Sequence, residues 1–268
     1  MPLSTYMNKR NQALLTELVR TDFKLRYQGS LLGYLWSILK PLLLFVILYV
    51  VFVSFLKIGK SIEHFPVYLL LGIVLWNFFT EMTMQCLGSI VGRGDLIRKI
   101  RIPRWMIVFS SSISAAINLV LSLLVVGVFM TINQVPLTLG ILLLPVYVLV
   151  LYTLALGLSL FLAAAYVKYR DISYIWEIIL QAGFYATPII YPLQMIDNTL
   201  VQKLLLLNPI AFAIQGARNN TVTEQAITTS GMWGSYIYTA IPLAITILFL
   251  RAGILYFRSQ SNTFAENI

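Results

Sequence analysis

Ionisable residues inside apolar stretches are the first candidates for chemistry in this sequence. Glu81 and Glu177 lie within long apolar runs, and Lys40 stands directly before Pro41 in another. A charged group in such a run is expensive to bury and often serves a function. The glutamates could exchange a proton, contact a polar group on a neighbouring helix or line a cavity, and the last two uses are favoured. Lys40 could bind an anionic lipid head such as a diphosphate, although snorkelling to the lipid headgroups is the simpler interpretation.

Few residues of this sequence could support catalysis or bind a metal ion. Cys86 is the single cysteine and His64 the single histidine, so an intrachain disulfide and a thiol metal cluster are excluded. One histidine offers little for a metal site or a serine–histidine triad. No G-x-x-x-x-G-K-[ST] motif is present, so nothing indicates that this chain hydrolyses ATP. We therefore predict no catalytic residue, no metal ligand and no cofactor bound by this chain.

The elements that must position these residues are membrane-spanning helices. Of the 268 residues 59% are hydrophobic and only 11% are charged, whereas a soluble domain has about 25% charged residues. A water-soluble enzyme is therefore excluded. The apolar runs predict six spans, at residues 31–56, 66–87, 106–132, 137–167, 172–187 and 236–257. The fifth is short and is followed by Pro188 and Pro192, so it either barely crosses or belongs to a broken, re-entrant structure.

Basic residues predict the orientation of these spans. Thirteen of the nineteen Lys and Arg fall on one side, in the N-terminal arm, the loop after span two, the turn after span four and the C-terminal tail. The other side has Lys57, Lys60, Lys203 and Arg218. Because positively charged loops stay in the cytoplasm, both termini are predicted to be cytoplasmic. The net charge of +9 thus indicates orientation rather than binding to nucleic acid.

The segment 9–27 is predicted to be an amphipathic helix that lies in the membrane interface. Its apolar residues, apart from Leu25, share one broad arc, and Glu17, Arg20 and Lys24 lie opposite. Asp22 and Arg26 fall inside the apolar arc four residues apart, so we predict that they pair with each other. A plain surface anchor explains most of the pattern, and a role in lipid entry is the alternative. The residues assigned to this interface are Arg20, Asp22, Phe23, Lys24, Arg26 and Tyr27.

The loop 92–105 combines basic residues with a small apolar patch. A solvated basic loop needs no apolar patch, so we predict a short helix that docks a cytoplasmic partner; the alternative is charge that only sets orientation. An acidic residue in its first turn and basic residues near its end suit the helix dipole. The residues assigned to this surface are Arg93, Asp95, Leu96, Ile97, Arg98, Lys99, Ile100 and Arg101.

The segment 188–235 is neither a polar linker nor a full span. Residues 193–207 and 210–218 predict two short semi-apolar helices separated by Asn208-Pro209, which dip into the outer leaflet, and 219–235 reads as a loop. Aromatic residues near the spans could stack on sugar faces, although a belt at the membrane interface or core packing is favoured for any one of them. The candidates for a lipid-head or glycan path are Tyr34, Trp36, Lys40, Trp76, Phe184, Tyr185 and Tyr191.

Four segments, in order, resemble one family. They are residues 20–42; 96–104; Tyr169-Arg-Asp-Ile together with Ala186-Thr-Pro-Ile-Ile-Tyr-Pro; and Leu207-Asn-Pro-Ile. These resemble the ABC-2 type permeases that export polysaccharides such as O-antigen, capsule or wall teichoic acid. The resemblance covers nearly the whole chain. Lys40 departs from it, because the family usually has an apolar or small residue there.

The resemblance implies one ABC-2 type transmembrane domain over residues 1–268, acting as a homodimer of six-span subunits in the bacterial plasma (inner) membrane. It implies two separate nucleotide-binding ATPase subunits, which would use ATP and Mg. The helix in 92–105 would couple to them, the helix 9–27 would flank a lipid opening, and the outer helices would shape an exit for a lipid-linked polysaccharide. The alternatives are export of a drug or another lipid, a membrane enzyme acting on lipid-linked sugars, and a noncatalytic scaffold.

Overall fold

The computed structural model describes residues 9–27, 33, 35–55, 57, 62–99, 102–261 and 264. Every regular element within these residues is a helix, in agreement with the predicted all-α class. The α-helices are α1 (Lys9–Tyr27), α2 (Leu35–Tyr49), α3 (Phe65–Gly92), α4 (Gly94–Lys99), α5 (Trp105–Ile132), α6 (Leu144–Lys168), α7 (Ile172–Ala186), α8 (Thr199–Leu207), α9 (Pro209–Thr221), α10 (Thr229–Trp233) and α11 (Ala240–Gln260). A π-helix (Val50–Phe55) continues α2, and 3₁₀ turns occupy Leu139–Leu143, Leu193–Met195 and Tyr236–Thr239.

Four helices in the described residues are long and apolar enough to cross a membrane. They are Phe65–Gly92, Trp105–Ile132, Leu139–Lys168 and Tyr236–Gln260. They coincide with the second, third, fourth and sixth predicted spans, so this part of the prediction is confirmed. A helix of 28 residues is about 42 Å long, enough to cross the roughly 30 Å hydrocarbon core with tilt.

The helices that the structure shows at the first and fifth predicted spans are shorter than the four long helices. In the first, the apolar helical stretch within the described residues is Ile38–Phe52. The fifth corresponds to α7, which has 15 residues. The helices α8 and α9 meet at 99° and together form a bent pair that could count as a further span or as a re-entrant loop. The described helices therefore supply four or five spans by length and composition.

The bundle has two distinct ends. At the α4 end, α1, α4 and the beginning of α5 lie together, held by contacts of Asp22 and Arg93. At the α9 end, α9 contacts the beginning of α3 through Arg218, and the beginning of α6 through Asn220. The central helix is α3, in which every residue from Val67 to Leu75 is buried. It packs against both α5 and α6, and α11 packs against α6.

Small residues allow the helices to approach closely. A Cβ on Gly157 of α6 would lie 2.6 Å from the Cα of Leu250, and one on Gly253 of α11 would overlap the Gly157 carbonyl. Close contacts of this kind are a common way to pack helices in membranes. Four of the buried serines of α5 place the hydroxyl within hydrogen-bonding distance of a carbonyl three or four residues earlier: Ser110, Ser111, Ser112 and Ser114.

Asparagine side chains cap the beginnings of α8 and α9. Asn208 accepts a hydrogen bond from the Ile210 amide at 3.0 Å, and Pro209 occupies the first turn of α9, so the predicted break at Asn208-Pro209 is confirmed. Two boundaries were wrong. The first helix begins at Thr199 rather than residue 193, because Asn198 caps it. The second extends past Arg218 to Thr221, and the predicted loop 219–235 contains α10.

Candidate functional site

An open groove of about 450 Å³ lies among α2, α3 and α7. This volume is within the range of small-ligand sites, about 300–1,000 Å³. Three residues predicted for a lipid-head or glycan path, Trp76, Phe184 and Tyr185, line it together. Among the described residues the lining is Leu44, Trp76, Asn77, Thr80, Met84, Glu177, Leu180, Gln181, Phe184 and Tyr185.

One wall of this groove is aromatic. The rings of Trp76 and Phe184 are 6.1 Å apart between centroids, and Phe184 meets Tyr185 edge to face at 5.4 Å. Gly183 makes this arrangement possible, since a Cβ there would lie 2.9 Å from the tip of the Trp76 ring. Tyr185 is 66% exposed, so part of this aromatic surface is open to an occupant.

Polar groups form the rest of the groove lining. Asn77 and Thr80 lie one turn apart on α3, and Glu177 and Gln181 lie one turn apart on α7. The Thr80 hydroxyl is buried and has no hydrogen-bond partner among the described residues. Glu177 and Gln181 are exposed on a helix that is otherwise apolar. This stripe offers both donors and acceptors to a polar ligand.

Glu81, the other glutamate in an apolar run, contacts a neighbouring helix. Its Oε1 accepts a hydrogen bond of 2.6 Å from the Asn118 side chain of α5. The interhelical contact favoured by the sequence for this residue is therefore confirmed. Glu177 instead lines the groove, the other use that the sequence favoured.

A cluster of three residues joins elements at the α4 end. Asp22 of α1 forms an ion pair with Arg93, the single residue between α3 and α4. The Arg93 Nη1 donates to the Ser110 hydroxyl of α5 at 2.9 Å, and that hydroxyl lies 3.1 Å from Asp22 Oδ2. Burial lowers the pKa of the Arg93 guanidinium, while the adjacent carboxylate stabilises its charged form. The sequence predicted Arg26 as the partner of Asp22; the Arg26 side chain lies outside the described residues, so that pairing stays a prediction, and within the described residues Asp22 pairs with Arg93.

The short helix predicted for partner docking is α4. Asp95, Arg98 and Lys99 are exposed. Leu96 and Ile97 are half-buried, and Ile97 packs against the hydrophobic core. Only part of the apolar patch is thus available to a partner, and the charged residues form the accessible surface.

The remaining predicted residues lie elsewhere. Trp36 and Lys40 are exposed one turn apart on α2, outside the groove lining. Arg20 and Lys24 are exposed on α1. Tyr191 folds back toward the end of α7, where its hydroxyl donates to the Tyr185 carbonyl at 3.2 Å. Tyr34, Ile100 and Arg101, and the side chains of Phe23, Arg26 and Tyr27, lie outside the described residues.

Arg218 is a buried cation that the sequence did not identify. It has 0% exposure. Its guanidinium donates from Nε to the Tyr68 carbonyl at 2.9 Å, from Nη1 to Pro188 at 2.7 Å and from Nη2 to Ile189 at 2.6 Å. It also lies 3.7 Å above the Tyr68 ring. An ionisable residue in the semi-apolar run 210–218 was the available signal, by the same rule that singled out Glu81.

Long apolar helices, a partly polar groove beside them and a short basic helix at one end define a multi-pass membrane permease. The chain belongs to the ABC-2 type transporter family, whose model matches residues 13–222. The resemblance stated from the sequence is therefore confirmed at the level of the family.

The relatives with assigned names extend this match over most of the chain. The O-antigen export system permease protein RfbA of Myxococcus xanthus is 33% identical over 265 residues, which cover 96% of each chain. A protein of the same name from Klebsiella pneumoniae is 27% identical over 237 residues, covering 87% of this chain and 90% of the relative.

Proposed function

We propose that this chain is the membrane subunit of an ATP-driven exporter that moves a lipid-linked polysaccharide across the bacterial plasma membrane. Its membership of the ABC-2 type transporter family and its similarity to permeases named for O-antigen export support this function. The observation that carries the substrate class is the groove, whose wall combines aromatic rings with polar side chains, one of which, the buried Thr80 hydroxyl, has no partner among the described residues.

A sugar needs the two surfaces that the groove offers. Aromatic faces such as Trp76 and Tyr185 stack on the apolar faces of sugar rings, and amide and hydroxyl groups bind sugar hydroxyls. A purely lipid or apolar drug substrate would leave the polar stripe unsatisfied. Such groups are costly in hydrocarbon, so Glu177 and Gln181 face either water or a polar occupant in the assembled protein.

A second copy of the chain would complete the conduit. The exposed face of α7 carries Tyr174, Ile178 and Tyr185 as well as Glu177 and Gln181. In a homodimer the two α7 faces would enclose the polar stripe between subunits. The first and fifth spans, α2 with its π-helical continuation and α7, would then line the path, giving six spans per subunit.

The ATPase subunits would dock on α4. Asp95, Arg98 and Lys99 present mixed charge at the α4 end, where α1 also lies. This end would face the cytoplasm together with both termini, since most basic residues lie on this side. ATP and Mg would bind the partner, and this chain would be a noncatalytic permease subunit.

The groove is tested by export in a strain that lacks the native gene. Gln181→Leu combined with Thr80→Val removes polar groups and keeps volume, so surface polysaccharide should fall while the protein level is unchanged. Ile179→Leu, an exposed position on α7 outside both the groove lining and the face that carries Ile178, is the matched control. Immunoblotting measures the glycan at the cell surface, the lipid-linked glycan retained inside and the level of the protein. Normal surface glycan in the groove variant would exclude this path, and loss of drug efflux instead would indicate another substrate.

The docking surface is tested by co-purification of the ATPase subunit. Arg98→Glu with Lys99→Glu should abolish co-purification, because both side chains are exposed and their loss disturbs no packing. Lys203→Glu on α8, at the other end of the bundle, is the control. Substitution of Ile97 is less informative, since that residue also packs against the core. If the double variant still co-purified with the ATPase subunit, α4 would not be the docking element.

A further inference from the structure

The residue that ends α3 and begins α4 is also held by α1. The Arg93 amide donates to the Ile90 carbonyl at 3.3 Å and so closes α3. Its carbonyl accepts from the amides of Leu96 and Ile97, at 3.1 and 3.2 Å, in the first turn of α4. Its side chain forms the ion pair with Asp22. Any displacement of α4 therefore displaces a side chain that is attached to α1.

Ser110 links the same pair to the bundle. Its hydroxyl accepts from Arg93 Nη1 and has a single proton, which it can donate either to Asp22 at 3.1 Å or to the Ile107 carbonyl at 2.9 Å. One choice ties α1 to α5, and the other returns the hydroxyl to its own helix. The ion pair between Asp22 and Arg93 remains in both cases, so it can persist while the serine changes partner.

The cluster is shielded enough for the pairing to be specific. The side chains of Arg93 and Asp22 are 18% and 12% exposed. At this burial neither charge is well solvated on its own, and separating them would leave both without compensation. Exposed ion pairs, in contrast, exchange freely with water and transmit little force. α1 has no need of a buried carboxylate to act as a membrane anchor, since an anchor requires only an apolar face and a basic one.

We propose that Asp22, Arg93 and Ser110 form a joint through which α1 and α4 move as one body when the ATPase subunits close. This proposal rests on the assignment of α4 as the ATPase-docking element. Asp22 and Arg93 are positioning residues: they do not touch the substrate, and they convert movement of α4 into movement of the interface helix. Ser110 provides the pivot on α5.

The transport assay uses the complex of this chain with its ATPase subunits in proteoliposomes. Asp22→Asn and Arg93→Gln should each reduce polysaccharide exported per ATP hydrolysed by about tenfold, within the range of typical coupling between sites. Co-purification of the ATPase should be unchanged. The exchanged pair, Asp22→Arg with Arg93→Asp, should recover part of the loss, which a general folding defect would not. Glu17→Gln, exposed on α1, is the control and should export normally.

Distances between spin labels test the joint without relying on transport. Cys86 is the single native cysteine and is buried, so introduced cysteines are labelled selectively. Labels at positions 17 and 99 report α1 against α4, and labels at 99 and 131 report α4 against the far end of α5. Because Lys99 belongs to the proposed docking surface, the protein labelled at 99 is first shown to co-purify with the ATPase subunit while Arg98 keeps its charge. On trapping ATP, the 17–99 distance should stay constant while the 99–131 distance changes. In Asp22→Asn the 17–99 distance should broaden and shift.

The outcomes separate the joint from the function on which it rests. A 17–99 distance that changes in the native sequence, or normal export per ATP in Asp22→Asn, overturns the joint and leaves the exporter assignment intact. A constant 99–131 distance, or an ATPase that does not co-purify with the native chain, overturns the assignment of α4 itself. The joint is supported if the 17–99 distance stays constant, the 99–131 distance changes, and Asp22→Asn exports less polysaccharide per ATP hydrolysed.

Discussion

Two arginines, one half-buried and one fully buried, hold opposite ends of this bundle in different ways. At the α4 end, Arg93 is paired with the carboxylate of Asp22 and retains 18% exposure. At the α9 end, Arg218 is fully buried, and the described part of the chain supplies no carboxylate partner for it. Three backbone carbonyls and the face of the Tyr68 ring compensate its charge instead.

The difference in partners implies a difference in role. A carboxylate is a side-chain partner that can rotate with its own helix, so an ion pair can follow a moving element. Carbonyls of Tyr68, Pro188 and Ile189 are fixed by the backbone, so Arg218 holds α3, α9 and the segment after α7 in one arrangement. We therefore expect the α9 end to be chiefly a stability element and the α4 end to be chiefly a coupling element.

Removal of Arg218 should give the largest loss of stability. Arg218→Leu leaves the carbonyls of Pro188 and Ile189 buried without donors, and the free energy of unfolding should fall by about 3 kcal/mol or more. Arg218→Lys should recover little of this, because an ammonium cannot reproduce the planar arrangement of donors. Thermal melts of the purified protein in detergent measure both, with Lys24→Ala, at an exposed position on α1, as the control. Unchanged melting would refute the fixed arrangement of the α9 end.

A methyl group at position 72 should be the next most damaging change. A Cβ on Gly72 would overlap the Arg218 guanidinium, so Gly72→Ala should cost about 1–3 kcal/mol through displacement of that side chain. Gly88, on the same helix, has open space around it. Gly88→Ala should be neutral or stabilise the protein by about 0.5–1 kcal/mol, as expected in a helix interior. Equal melting temperatures for the two variants would contradict the close packing at Arg218.

Asp22→Asn should affect coupling more than stability. The variant keeps a hydrogen-bond acceptor beside Arg93 and loses only the charge, so a cost of about 1–2 kcal/mol is expected in the same melts. Its loss of export per ATP should nevertheless exceed that of Gly72→Ala when both are measured on folded protein. The comparison between the two ends would be reversed if Gly72→Ala uncoupled export while Asp22→Asn only lowered the melting temperature.

The smallest expected effect separates the ring of Tyr68 from its hydroxyl. Tyr68→Phe retains the aromatic face beneath Arg218 and loses the 3.2 Å hydrogen bond from the hydroxyl to Gln215. The cost should be about 1 kcal/mol. Tyr68→Leu removes the ring as well and should cost more, since the cation then loses its contact with the aromatic face. If both variants melted alike, the ring would contribute nothing to holding Arg218.

Local periodicity predicted the helices well. The amphipathic helix was predicted at 9–27 and lies at Lys9–Tyr27, and the fifth span was predicted at 172–187 and lies at Ile172–Ala186. The break between α8 and α9 was predictable because Asn and Pro have strong local preferences at a helix start. The gathering of Trp76, Phe184 and Tyr185 in one groove was predicted only as a shared path, without the polar stripe beside it.

Partners distant in sequence were the part that could not be predicted. Asp22 was predicted to pair with Arg26 because residues four apart meet on a helix. That pairing stays a prediction, because the Arg26 side chain lies outside the described residues. The partner that the structure shows, Arg93, lies at the junction of α3 and α4, and its contact with Asp22 depends on how α1 packs against α5. Arg218 and Tyr68 are 150 residues apart, and their contact requires the absence of a side chain at Gly72.

The sequence alone determined that this chain is a bundle of apolar helices with an amphipathic N-terminal helix, a short basic helix and a broken segment after α7. Hydrophobic period, helix caps and charge placement act within a few residues of each other, so they can be read along the chain. Only the tertiary structure decided that Arg93 pairs with a carboxylate and that Arg218 is bound by backbone carbonyls. It also decided which polar residues share the groove. Those choices depend on helix packing across the whole chain, which no local pattern specifies.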